Sequence, residues 1–171
     1  IFEALPSDRV EAFQSPTKAC DHAGMTRLVK AGVPVMATEA EYRPELLNQL
    51  IEDVGVAFLQ TAPIAVGGLS RISALADKVS NTNTRLSLEV SSTAIALMAA
   101  IHAAAAYPQI AHVEYHTVHT VFFDRLPLKH PPGQHSKVYP PDAPGLGISL
   151  PDTEVTVALE ATSAPSPKDA A

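Results

Sequence analysis

The chain has 171 residues, 46% of them apolar and 18% charged, which suffices for a folded core and excludes a disordered or fibrous protein. Twelve basic residues against 18 acidic ones give a formal charge of -6 with no basic stripe, which argues against nucleic acid as a partner. The single Cys20 excludes an internal disulfide and a Cys-x-x-Cys site and fits a reducing, cytoplasmic compartment, and no apolar run of about 18 residues is present to span a membrane.

Strands and helices alternate along the sequence. Ile1 to Glu3 reads as a short strand ending in an acid, and Pro6-Ser7-Asp8 offers a helix start for Arg9 to Phe13. Residues 14–24 read as irregular. Thr26 to Ala31 is helical and closed by Gly32, and Val33 to Ala37 is the next strand. Arg43-Pro44-Glu45 opens a helix with proline in its first turn, followed by Leu46, Leu47, Leu50 and Ile51 at helical spacing. Val56 to Gln60 is its partner strand. Gly67-Gly68 precedes a helix over Leu69 to Val79, and Leu86 to Val90 is a strand. Ser91-Ser92-Thr93 caps an alanine-rich helix over Ala94 to Ala106, ended by Pro108, and His112 to Tyr115 is the last strand. Residues 151–171 form a C-terminal extension, small, polar and expected to be disordered at its end. Because the sequence opens directly on an apolar, strand-like run, it is expected to be part of a longer protein.

Strands joined through helices imply parallel neighbours with right-handed crossovers, so the fold class is α/β. The pattern suits an open doubly wound sheet or part of a (β/α)8 barrel, a whole barrel needing about 250 residues. Gly67-Gly68 lacks the Lys-Ser/Thr of a P-loop, and no G-x-G-x-x-G follows a strand. The acids are more informative. Glu3, Glu39, Glu89 and Glu114 each sit at or just past the C-terminal end of an expected strand, where barrel active sites are built. Converging carboxylates repel one another unless a proton or a divalent cation intervenes, and oxygen ligands suit Mg²⁺.

These pieces, in this order, resemble the enolase superfamily, specifically the C-terminal barrel portion of the mandelate racemase and muconate lactonizing enzyme group. Ile1-Phe2-Glu3-Ala4-Leu5-Pro6 is similar to that group's strand ending in Phe-Glu-x-Pro, whose glutamate binds metal. Residues 33–40 resemble the next strand with its Gly-Glu ligand, residues 58–76 the strand, Gly-Gly turn and helix that follow, residues 86–108 the next βα unit, and His112-Val113-Glu114-Tyr115 the eighth strand. Residues 140–150 resemble the closing Pro-Gly-Leu-Gly stretch, so residues 1–150 are expected to be the barrel portion. The resemblance implies removal of a proton α to a carboxylate, with Mg²⁺ held by Glu3 and Glu39 stabilising the enediolate, and a small carboxylic acid as substrate. It also implies that Glu114 contacts the substrate carboxylate.

Departures narrow the chemistry. Ala62 stands where racemase-like members carry an aspartate, and Glu89 where they carry its partner histidine, so the His-Asp base is absent. Glu89 then becomes the alternative acid or base, which favours dehydration of a hydroxy acid or sugar acid over two-base racemisation. His116 and His119 fit a substrate-contacting loop over the barrel mouth better than a zinc site with His112. A non-catalytic relative that keeps only the barrel packing is the competing reading. Uncovered edge strands and helix faces favour association, and a homo-oligomer is expected of the full-length protein.

Overall fold

A computed structural model describes Leu5 and residues 9–37, 41–116 and 138–148. Within them the chain runs β1 (Phe13–Gln14), α1 (His22–Lys30), β2 (Val35–Ala37), α2 (Pro44–Gln49), β3 (Phe58–Thr61), α3 (Pro63–Val66), α4 (Leu69–Val79), β4 (Arg85–Leu88), α5 (Ala94–Ala106) and β5 (Ile110–Val113). The five strands form one parallel sheet in the order β1-β2-β3-β4-β5. Sequential parallel order, with at least one helix in every connection, is the arrangement of a segment of a (β/α)8 barrel and not of a doubly wound sheet, whose strand order reverses.

Local chemistry explains most of the boundaries. Asp21 caps α1 by accepting from the Gly24 N–H at 2.8 Å. A Cβ at Gly24 would lie 2.1 Å from Asp21 Oδ2, so a larger residue there would push the capping carboxylate aside. Pro44 fills the first position of α2, where its missing N–H costs nothing, and a π-helical turn over Leu50–Val54 carries the chain to Gly55 at φ 70°. Thr93 caps α5 through the Ala96 N–H at 3.2 Å. Apolar residues surround α5 on most sides, and Ala96, Leu97, Met98, Ala100, Ile101 and Ala103 are all buried. Its alanines permit close packing on the sheet.

Side chains alternate across the strands. Leu59, Leu86 and Leu88 join Leu47, Ile72, Leu97 and their neighbours in the core cluster between sheet and helices. Phe58, Gln60 and Ser87 take the other face, toward the barrel axis. That alternation brings Gln60 to the axis and puts Glu89, two residues after Ser87, on the same side.

The first segment corrects the sequence reading. Residues 9–13 form no helix; Phe13 and Gln14 are β1, with the Phe13 N–H on Pro34 O at 2.8 Å and the Ser15 N–H on Met36 O at 3.0 Å. Pro16 leaves too few residues for a helix, and pairing with β2 uses the backbone donors that a helix would have used. Helix α1 begins at His22, four residues before the expected Thr26, because Asp21 supplies the cap. Short α3 before Gly67-Gly68 was unforeseen. The strand expected at residues 1–3 and the extension at 151–171 lie outside the described residues.

Candidate active site

The polar residues gather at the C-terminal ends of the strands. Backbone bonds carry the ladder one residue past β4 and β5: the Glu89 N–H donates to Thr61 O at 3.0 Å, and the Glu114 N–H to Leu88 O at 2.8 Å. Both carboxylates are thereby held at the sheet edge. Glu89 is 8% exposed, and Gln60 beside it on β3 is 1% exposed.

The contacts form one continuous chain. Gln14 Nε2 donates to Gln60 Oε1, and Gln60 Nε2 donates to Glu114 Oε1 at 2.7 Å. Glu114 Oε2 faces His116 Nε2 at 3.0 Å, and the same nitrogen lies 3.8 Å from Glu89 Oε1. Gln60 uses both ends of its amide, which fixes its orientation. With Gln60 donating to one oxygen of Glu114 and the His116 ring nitrogen beside the other, the arrangement holds Glu114 as an acceptor. One ligand atom from each of Glu89, Glu114 and His116 lies within 4.8 Å of the others, a spacing that a cation or a shared proton can bridge. Two oxygens and an imidazole nitrogen are a set better suited to a transition metal than to Mg²⁺.

Of the residues expected from sequence, Glu89, Glu114 and His116 come together, while Glu3, Glu39 and His119 lie outside the described residues. Ala62 is buried beyond the end of β3 and brings no carboxylate. His112 points elsewhere: its Nε2 meets Glu11 Oε2 at 3.2 Å and its ring centroid is 5.2 Å from that of Phe58.

Two residues escaped the sequence reading. Gln14 holds the end of the strand next to β2, and the string Phe13-Gln14-Ser15-Pro16 has the form Phe-x-x-Pro with an amide in place of the acid. Glu41, 5% exposed in the β2–α2 loop, is the other. Its Oε1 accepts the backbone N–H of Tyr42 at 3.0 Å, that of Arg43 at 2.9 Å and Arg43 Nε at 2.9 Å, while Oε2 takes Arg43 Nη2 at 2.7 Å. The Arg43 side chain, outweighing burial, and the two backbone donors lower its pKa from 4.5 to about 2. No helix among the described residues is long and apolar enough to cross a membrane.

Comparison with solved structures finds the same architecture in larger proteins. A protein from Salmonella enterica serovar Typhimurium described as a dehydratase matches at TM-score 0.76 and 22% identity, covering 87% of this chain and 38% of its own. A mandelate racemase/muconate lactonizing enzyme-like protein from Roseovarius sp. TM1035 matches at 0.74 and 23%, covering 86% and 37%. The 3,6-anhydro-D-galactonate cycloisomerase from Zobellia galactanivorans matches at 0.75 and 24%, covering 87% and 42%. The chain thus spans about two fifths of the length of these relatives. A search of curated proteins gives no match. The family model for the enolase C-terminal domain matches residues 2–154, and with the sequential parallel sheet and the acids at its strand ends, the chain belongs to the enolase C-terminal domain-like family.

Proposed function

We propose that the protein containing this chain moves a proton at the carbon α to the carboxylate of a small hydroxy acid or sugar acid, and that the reaction is a dehydration. The observation that carries this reading is the convergence of Glu89, Glu114 and His116 at the ends of β4 and β5. A β-elimination needs a base for the α-proton and an acid for the leaving hydroxyl. Both can be drawn from this cluster, in which His116 Nε2 lies 3.0 Å from Glu114 Oε2 and 3.8 Å from Glu89 Oε1.

Glu89, when it carries the proton, delivers it to the hydroxyl as the C–O bond breaks. Glu114 or His116 receives the α-proton, and from an acid with hydroxyls on both the α- and β-carbons the products are water and an enol that tautomerises to the 2-keto acid. Acid and base then lie on one side of the substrate, which suits loss of both groups from the same face. Racemisation requires groups on opposite faces of the α-carbon, so this geometry supports it less.

Mg²⁺ is the ion that the family resemblance implies, and it would stabilise enediolate charge. Glu3 and Glu39 are the acids we propose for it. Gln14 at the end of β1 offers only a neutral amide, whose Nε2 is given to Gln60, and a hard dication prefers a carboxylate. The proton transfers above therefore rest on side chains alone. The same neutral residues, Gln14 and Ala62, favour a second reading, a non-catalytic barrel relative.

The test is Glu89→Gln in the full-length protein, assayed on a panel of hydroxy and sugar acids. Loss of about 10²–10⁴-fold in turnover is expected of a general acid. Activity retained within about threefold assigns Glu89 to structure, and no turnover of any acid by the unmodified protein selects the non-catalytic reading.

A further inference from the structure

We propose that Gln14 is a positioning residue: together with Gln60 it forms a two-amide relay that orients Glu114 from the end of β1. The inference rests on the polarity of the contacts and extends the proposed site by two residues. Gln14 Nε2 donates to Gln60 Oε1, and Gln60 Nε2 donates onward to Glu114 Oε1 at 2.7 Å. Each amide passes on a hydrogen bond in the same direction, from β1 across β3 to the end of β5.

Residue type at position 14 sets that direction. A carboxylate accepts and cannot donate at neutral pH, so a glutamate there would face the Gln60 carbonyl oxygen with two acceptors in contact. Gln60 would have to turn over, presenting its oxygen to Glu114 and removing the donor that Glu114 Oε1 now uses. Gln60 is buried and has little room for another partner. Only a donor at position 14 holds Gln60 in the orientation that serves Glu114.

The backbone fixes the start of the relay. Ser15, next to Gln14, takes φ 49° while its N–H stays bonded to Met36 O at 3.0 Å. A non-glycine residue in the left-handed region is strained and persists where surrounding contacts hold it. Here it ends β1 immediately after Gln14 and leads into Pro16. The amide is thereby presented at the strand end, where it donates to Gln60.

The experiment combines Mg²⁺ calorimetry with ¹⁵N–¹H spectra of the glutamine side-chain amides, on the full chain and on Gln14→Leu, with Gln14→Thr as a second variant should the leucine fail to fold. Mg²⁺ affinity is expected to change by less than about threefold on replacing Gln14, absence of binding in both proteins counting as no change. The Gln60 side-chain amide signals are expected to shift in the Gln14 variant and also in Glu114→Gln, since each removes one neighbour of the same amide. A loss of Mg²⁺ affinity of about tenfold or more would make Gln14 a ligand and overturn the proposal. Gln60 signals unmoved by the Gln14 replacement would overturn it as well. Neither readout requires turnover, so failure of the dehydration reading leaves this test intact.

Discussion

Two glutamates sit just past strands of the same sheet, almost equally buried, and differ in where their partners come from. Glu41, after β2, is 5% exposed; Glu89, after β4, is 8% exposed. Glu41 takes four hydrogen bonds, all from the two residues that follow it, and its carboxyl is held charged down to about pH 2. Glu89 faces groups that come from another strand end, His116 and through it Glu114. A carboxylate surrounded by local donors is chemically finished, since its lone pairs are committed and its proton is hard to add. One that meets another acid across a histidine is, in the function proposed above, the one that exchanges a proton. Burial alone does not tell the two apart; the origin of the partners does.

Exchanging the two roles by mutation gives the largest effect. Glu89→Gln is expected to lower turnover by about 10²-fold or more while leaving the unfolding midpoint close to that of the unmodified protein. Glu41→Gln is expected to do the reverse, keeping turnover within about threefold and destabilising by about 1–2 kcal/mol, a figure reduced for the solvent exposure of Arg43. Paired measurements of kcat and of chemical denaturation check both. A Glu41→Gln protein that is stable and inactive would invert the comparison.

An acid titration sharpens it. The pKa of Glu41 is depressed from 4.5 to about 2, so its contribution to stability is complete above pH 4.5 and is lost as the pH falls from there toward 2. The difference in unfolding free energy between the unmodified protein and Glu41→Gln should be constant from neutrality to about pH 5 and shrink through that window. A difference independent of pH would show that the Arg43 contact contributes nothing to the charged state. Other carboxylates titrate in both proteins and cancel in the subtraction.

What was legible in the sequence follows the same division between local and distant partners. Helix α5 matches its expected range because Thr93, the alanine run and Pro108 are neighbours in the chain. The acids after β4 and β5 were visible because a strand's end is a local property. Strand β1 was hidden, since its two residues are a strand only by virtue of β2, more than twenty positions away. Gln14 was hidden with it. Ile1-Phe2-Glu3 satisfies an acid-at-strand-end rule better than Phe13-Gln14 does, which drew attention away from the pair that joins β2; residues 1–3 themselves lie outside the described residues. Glu41 was overlooked because its partners are backbone N–H groups, which the sequence does not display, and because Glu39 two residues earlier fitted the resemblance. The Gln14–Gln60–Glu114 contacts join three strand ends, and no spacing in the sequence encodes them.

The smallest expected effect separates the two kinds of donor around Glu41. Arg43 contributes two side-chain N–H groups in a side-on pair, Nε to one oxygen and Nη2 to the other, but its side chain is 62% exposed. Exposed ion pairs contribute little because water and salt compete for both charges. Arg43→Lys keeps a positive charge and loses the two-pronged geometry, since an ammonium is a point charge on a flexible stem. The two backbone donors at 3.0 and 2.9 Å remain, because they depend on the turn into α2 and not on the side chain. Arg43→Lys is therefore expected to lower stability by less than half of the Glu41→Gln effect, with the carboxyl still titrating below its ordinary range. Measurement of the Glu41 carboxyl by ¹³C-detected titration checks it: a return to 4.5 in Arg43→Lys would mean that the guanidinium alone, and not the loop backbone, keeps this acid charged.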